Sequence, residues 1–302
     1  MKRILLTGKN GQLGWELQRS LAAFGEVIAV DAEEMDLADP DAIQRTVREV
    51  RPNIIINPAA YTAVDKAEGD ANLAMAVNGT APGIFAEEAQ QLGAVLVHYS
   101  TDYVFDGNKH TPYVESDMPD PQSVYGSTKL AGELAIRVSG CKYLILRTSW
   151  VYGVHGANFV KTILRLAKER DELRIVADQF GAPTWARDLA NSTAAALVCW
   201  KNNAWDQNLN GLYHLTNAGR TNWHQYAEEI VRLARAYDPA LATKPLKIHA
   251  IATHEYPVPA KRPANSVLAN DKIRDAFGIV LPAWQDSLAE CVRLIYEQPQ
   301  SA

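Results

Sequence analysis

The chain has 302 residues, of which 47% are hydrophobic and 22% charged, with a formal net charge of −5. That composition is ordinary for a globular protein with a sizeable core or two domains, and it excludes a disordered chain. With no dense basic cluster, nucleic acid and anionic membrane are excluded as main partners, and small polar ligands remain.

Ile4 to Thr7 is a short apolar strand candidate, followed by Gly8-Lys9-Asn10-Gly11-Gln12-Leu13-Gly14 and a helical pattern from Trp15 to Leu21. The order is strand, glycine turn, helix. Gly8 permits the tight turn, Gly11 lets the backbone approach a pyrophosphate, and Gly14 lets the helix pack closely on the strand. The spacing is Gly-x-x-Gly-x-x-Gly. A second strand, Val27 to Val30, ends at Asp31, where a carboxylate would accept a ribose 2′-hydroxyl. Asp39-Pro40 starts a helix to about Val50, and Asn53 to Asn57 is a buried strand ending at Pro58. A long helix is predicted over about 71–92, then a strand ending at Ser100. Residues 101–123, with Gly107, Pro112, Pro119 and Pro121, read as a loop over the active site. A helix carries Tyr125, and Tyr143 to Arg147 is the next strand. Alternation of this kind predicts an α/β fold of Rossmann type, with a doubly wound parallel sheet.

Beyond Trp150 the order is less regular. A helix over 159–168, a strand over 173–176, a loop at 178–184 and a helix over about 186–200 are expected, then a strand at 211–215. Thr221 is expected to cap a helix from Asn222 to Ala236, and the prolines of 244–267 predict an extended, winding connection. The dinucleotide-binding domain is placed at 1–152 plus about 178–200. A smaller α/β substrate-binding domain takes about 153–177 and 201–302. Cys141, Cys199 and Cys291 are odd in number and far apart, which suits free thiols in a reducing compartment. Met1-Lys2-Arg3 precedes too few apolar residues for a signal core, so a cytoplasmic protein is expected.

The chemistry is predicted at two pieces, His98 to Phe105 and Val124 to Lys129. Tyr125 and Lys129 are four apart on a helix and share a face, so the ammonium is expected to lower the tyrosine pKa and make Tyr125 a proton donor. Tyr-x-x-x-Lys is a short pattern, and its weight comes from the strand and the glycine loop around it.

With these residues in view, the chain resembles the extended short-chain dehydrogenase/reductases. The resemblance covers nearly the whole length. It rests on Gly8 to Gly14, His98 to Phe105, Tyr125-Gly126 to Glu133, Arg147-Thr148-Ser149-Trp150-Val151-Tyr152, Asp178-Gln179-x-Gly181-Ala182-Pro183-Thr184 and Arg262-Pro263-x-Asn265-Ser266. What it implies is reduction of the 4-keto group of dTDP-4-dehydro-6-deoxy-L-mannose by NADPH or NADH. The product would be dTDP-L-rhamnose for cell-surface polysaccharide. Another nucleotide-sugar reductase or epimerase of the superfamily is one alternative, and a cofactor-binding regulatory subunit without turnover is another.

The resemblance also implies roles. Tyr125, Lys129 and Thr101 would be catalytic, with Ser100 as the rival to Thr101. The cofactor would meet Gly8, Gly11, Gln12, Leu13, Gly14 and Asp31, then Asp36, Leu37, Ala60, Tyr61 and Thr62, together with Tyr125 and Lys129. The dTDP-4-keto sugar would meet Thr101, Asp102, Trp150 and Arg262. Trp150 would stack on thymine or cover the sugar, with plain packing as the other reading, and Arg262 would take the diphosphate or an ion pair within the fold. Some relatives form homodimers bridged by Mg²⁺ through glutamates, one on the first helix where Glu16 stands. Trp185-Ala186-Arg187-Asp188 departs from that pattern, with arginine where a second carboxylate would help.

Overall fold

The computed structural model describes residues 2–297, so Met1 and residues 298–302, where the two expected domains begin and end, lie outside the described residues. The first half runs β1 (Arg3–Leu6), α1 (Gln12–Leu21), β2 (Glu26–Ala29), α2 (Pro40–Val50), β3 (Ile54–Asn57), α3 (Val64–Ala67), α4 (Ala71–Met75), α5 (Ala81–Leu92) and β4 (Val95–Thr101). Next come α6 (Val124–Val138), β5 (Lys142–Thr148), β6 (Val151–Tyr152), α7 (Phe159–Glu169), β7 (Glu172–Val176), β8 (Phe180–Gly181), β9 (Thr184–Trp185) and α8 (Ala186–Asn202). The remainder is β10 (Gly211–His214), β11 (Thr221–Asn222), α9 (Trp223–Ala234), α10 (Pro239–Ala242), β12 (Lys247–Ile251), α11 (Asp271–Phe277) and α12 (Trp284–Glu297).

Six strands form one parallel sheet in the order β10-β5-β4-β3-β1-β2. Strand side chains alternate between faces, and here both faces are covered. Ile4, Leu6, Ile54, Ile56, Val95 and Val97 pack with Leu17, Leu21, Leu189 and Trp200. Leu5, Ile55, Leu96 and Ile145 pack on the other side with Ile43, Val47, Phe85 and Ile136. The result is a three-layer sandwich. Because β1 lies between β2 and β3, the chain changes direction across the sheet at β1 and β3, which opens a crevice beyond their carboxyl ends. A third apolar cluster joins α7, α9 and α12 through Val160, Ile163, Tyr226, Ile230, Leu288 and Val292, beside the parallel pair β7 and β12. No helix among the described residues is long and apolar enough to cross a membrane.

Four local expectations are corrected. The helix foreseen over 71–92 is interrupted by a π turn at Ala76–Thr80, next to Pro82, which has no N–H for an intrahelical bond. Gly211–His214, expected in the smaller domain, pairs with β5 as the edge of the central sheet. Asn222 rather than Thr221 caps α9, its Oδ1 accepting the Gln225 N–H at 2.8 Å, since α9 begins at Trp223 and Thr221 lies one residue too far out. The winding stretch of 244–267 contains a regular strand, β12, whose register with β7 runs from Lys247 to Ile251 between flanking prolines.

Candidate active site

The glycine loop follows from steric demands. Gly8 has φ +61°, and a Cβ on Gly14 would stand 2.0 Å from the Gly8 carbonyl oxygen, so only glycine lets α1 meet β1 there. Gly11 is the N-cap of α1 and offers no side chain to the first-turn N–H groups, which leaves them for an anionic ligand. Gln12 accepts from Asn158 Nδ2 at 2.9 Å, and Leu13 is buried in the sheet core, so only its backbone faces the loop.

Beside this turn lies a cavity of about 170 Å³ lined by Thr7, Gly8, Asp31, Asp36, Leu37 and Ala60 among others. The structure thus gathers five predicted cofactor residues from three strand ends around one space. Tyr61 and Thr62 do not line it. Tyr61 is held instead by Asn78, which accepts from its N–H at 2.9 Å, and by Asp70, which accepts its hydroxyl proton at 2.8 Å. Asn78 sits in the π turn, a position that no helical periodicity could have signalled. Asp31 accepts from the Asn10 N–H at 2.9 Å and the Ala32 N–H at 2.9 Å, so its carboxylate braces the loop. Lys9 pairs with Glu34 next to it. Lys9 was legible only as a loop residue, because its partner is 25 positions away.

The catalytic candidates converge at the end of β4. Ser123 caps α6 by accepting the Gly126 N–H at 3.1 Å, and Gly126 lets the first turn of α6 approach Tyr103, whose carbonyl oxygen would lie 2.2 Å from a Cβ there. That approach sets Tyr125 edge-on to Tyr103, with ring centroids 5.6 Å apart. Thr101 Oγ1 donates to Asp102 Oδ1 at 2.9 Å and accepts from the Tyr103 N–H at 3.1 Å. Burial pushes the Tyr125 phenol up, and the Thr101 hydroxyl pulls it part of the way back. The expected lowering by Lys129 is not what the geometry gives. Lys129 Nζ donates to the Tyr99 carbonyl at 2.6 Å and lies 3.2 Å from His98 Nε2, with burial lowering its pKa to about 8. Ser100 donates to Glu133 Oε1 at 2.5 Å, away from this group. Asp102 is buried, one of its oxygens has no partner, and burial pushes its carboxyl up to about 6.

A second cavity, about 480 Å³, is lined by Phe159, Arg170, Arg174, Gln179, Trp223, Tyr256 and Arg262 among others. Arg262 donates to Asp65 at 2.7 Å and to the Tyr103 hydroxyl at 2.8 Å, so it stands at once in an ion pair and on the cavity wall. Trp150 has φ +47° and stacks on Trp223 with centroids 3.6 Å apart, while Gly181 leaves no room for a Cβ against its indole. Trp150 therefore backs the wall that Trp223 presents. Trp223, Phe159 and the two arginines were not foreseen as site residues, since none belongs to a motif and only the packing of α7, β7 and α9 brings them to one cavity.

Glu16 accepts from Arg187, with Nε 3.3 Å from Oε2. Asp188 accepts from Asn217 Nδ2 at 2.7 Å and from Ser287 Oγ at 2.5 Å. Mg²⁺ needs several oxygen ligands, and the Arg187 guanidinium, which pairs with Glu16 and, after Arg293, also lowers the Glu290 carboxyl pKa, does not fit that requirement. Among the described residues no three His, Cys, Asp or Glu side chains converge for a metal.

A parallel sheet with its glycine turn after β1, and a Tyr125/Lys129 helix beside the end of β4, define an extended short-chain dehydrogenase/reductase. The family model for the RmlD substrate binding domain matches residues 1–296. The dTDP-4-dehydrorhamnose reductase of Burkholderia thailandensis is 49% identical over 297 residues, covering 98% of this chain and all of that one. The crystal structure of a dTDP-4-dehydrorhamnose reductase from Clostridium acetobutylicum superimposes with a TM-score of 0.87 at 40% identity, over 97% of this chain and 99% of that one. One from Bacillus anthracis, in complex with NADP, gives 0.86 at 36% identity, over 97% and 99%. The chain belongs to the dTDP-4-dehydrorhamnose reductase family.

Proposed function

We propose that this protein uses NADPH or NADH to reduce the 4-keto group of dTDP-4-dehydro-6-deoxy-L-mannose to dTDP-L-rhamnose, for cell-surface polysaccharide. The observation that carries the reading is the gathering of Thr101, at the end of β4, and Tyr125, at the start of α6, against Tyr103, whose hydroxyl accepts from Arg262 on the wall of the larger cavity. The reduced nicotinamide supplies the hydride. As negative charge grows on the sugar oxygen, a donor must neutralise it, and a phenol that burial keeps protonated is suited to that step. To act as second donor to the same oxygen, Thr101 would turn toward it the hydroxyl proton that now goes to Asp102 Oδ1. Lys129, cationic below about pH 8 and four residues along α6 from Tyr125, would hold the nicotinamide ribose. A regulatory subunit without turnover would not need Thr101, Tyr125 and Lys129 together. We extend the proposal to a homodimer working in the cytoplasm.

The 2′-position of the cofactor faces opposing charges in this reading. Asp31 and Glu34 disfavour a 2′-phosphate, and Lys9 favours it. Both cofactors should therefore serve. Steady-state kinetics should give kcat/KM values for NADH and NADPH within roughly 100-fold, about 2.7 kcal/mol. A larger gap would mean that one of these charges dominates the site.

Arg170, Arg174 and Arg262, with Trp223 and Phe159, give the larger cavity the charge and aromatic surface that a nucleoside diphosphate requires. Binding energy gathered there positions the reacting carbon. The free 4-keto sugar should accordingly lose on the order of 10³-fold in kcat/KM, a loss of about 4 kcal/mol. Equal kcat/KM with and without the nucleotide would overturn the substrate assignment.

A further inference from the structure

Lys129 is 1% exposed, yet among the described residues no carboxylate is within ion-pairing distance of it. Two neutral acceptors hold it, the Tyr99 carbonyl at 2.6 Å and His98 Nε2 at 3.2 Å. His98 is wholly buried. Its Nδ1 is 3.2 Å from Asn57 Nδ2, Thr7 Oγ1 donates to Asn57 Oδ1 at 2.7 Å, and Thr7 Oγ1 accepts the Ala59 N–H at 3.3 Å. A row of buried polar side chains thus runs from α6 across β4 and β3 to the turn after β1. Asn57 and His98 are register partners in the sheet, so the row follows from strand pairing.

Proton accounting makes the row directional. An ammonium can only donate, so beside charged Lys129 the imidazole must accept at Nε2 and carry its single proton on Nδ1. Nδ1–H then needs the Asn57 carbonyl oxygen, which turns the Asn57 amino group toward Thr7 Oγ1. With Nδ2 toward Nδ1, as the amide stands, Nε2 would carry the proton and face Lys129, an arrangement suited only to a neutral amine, so a charged Lys129 requires the Asn57 amide turned end for end.

We infer that His98 is the positioning residue of Lys129: a neutral imidazole whose tautomer Asn57 fixes, and whose Nε2 holds the ammonium in place one turn along α6 from Tyr125. The inference rests on the reading of Lys129 as part of the reductase site. Burial, and then the Lys129 charge, lower the His98 pKa well below its ordinary value, which keeps the ring neutral through the working pH range. The other ionisable group bearing on the pair is Glu133, one turn along α6 and tied to Arg147 of β5.

Two substitutions separate positioning from packing. The amide of His98→Gln reaches the place of Nε2 and can still accept from Lys129, whereas that of His98→Asn reaches only the place of Nδ1 and keeps the Asn57 contact. His98→Gln should retain kcat within about fivefold, with an alkaline limb near that of the wild type. His98→Asn should lose on the order of 10²-fold and move the alkaline limb of kcat/KM to lower pH, because the ammonium has lost an acceptor. Independently of turnover, ¹⁵N shifts of labelled histidine should show His98 protonated at Nδ1 and bare at Nε2 near pH 7. Equal behaviour of the two variants, or an Nε2–H tautomer at that pH, would overturn the inference. If instead wild-type protein shows the Nδ1–H tautomer but reduces no dTDP-4-keto sugar, the arrangement stands and the functional reading falls.

Discussion

Tyr125→Phe is expected to bind the nicotinamide cofactor as tightly as the wild type and to lose kcat by on the order of 10² to 10⁴-fold. The substitution removes one hydroxyl and nothing else. Thr101 stays anchored to Asp102 and the Tyr103 N–H, and the ring keeps its edge-on packing against Tyr103. Melting should therefore be unchanged, which separates chemistry from folding. The loss falls on kcat because the proton moves only as charge develops on the substrate oxygen, where Thr101 alone would remain to meet it. Ser100, the rival to Thr101 for the second-donor role, is committed to Glu133. Titration with cofactor and single-turnover rates on the same preparation check both halves of this expectation, and near wild-type turnover would remove Tyr125 from the mechanism.

Arg147→Leu should destabilise the protein by about 3–5 kcal/mol. Arg147 and Glu133 are 2% and 0% exposed, and the guanidinium meets the carboxylate in a two-pronged bond, Nε to Oε1 at 2.8 Å and Nη2 to Oε2 at 2.6 Å. Leucine would leave the carboxylate buried with only the Ser100 hydroxyl against it. The penalty is the cost of an uncompensated charge rather than the net worth of the pair, so Glu133→Leu combined with Arg147→Leu should recover most of it. Thermal melts of the single and double variants decide the matter. A single variant that melts like the wild type, or a double variant no better than the single, would contradict this account of β5 and α6.

The sheet was legible because a strand buried on both faces must be apolar throughout, and Ile54 to Ile56 and Val95 to Val97 satisfy that without ambiguity. The glycine loop was legible because Gly8 and Gly14 answer a steric demand that no other residue meets. Helical spacing brought Tyr125 and Lys129 into view, but it could not say what Lys129 would touch. Its contacts with Tyr99 and His98 depend on α6 lying against β4, and the resulting burial pushes the phenol up instead of down. β12 was hidden by its flanking prolines, and the π turn carrying Asn78 by the absence of any local periodicity. The Trp150 and Trp223 stack, the Glu16 and Arg187 pair, and the Lys9 and Glu34 pair join residues distant in the chain, and a single sequence carries no signal for such pairings. Gly211–His214 read correctly as a strand, yet its place beside β5 is a matter of topology.

The central claim is that this protein reduces a dTDP-linked 4-keto sugar at Tyr125. Following NADPH absorbance after adding dTDP-4-dehydro-6-deoxy-L-mannose to the purified protein tests it most directly. The account predicts one equivalent of NADPH consumed per dTDP-L-rhamnose formed, abolished in Tyr125→Phe. Saturable NADPH binding with no oxidation on adding the sugar would contradict it.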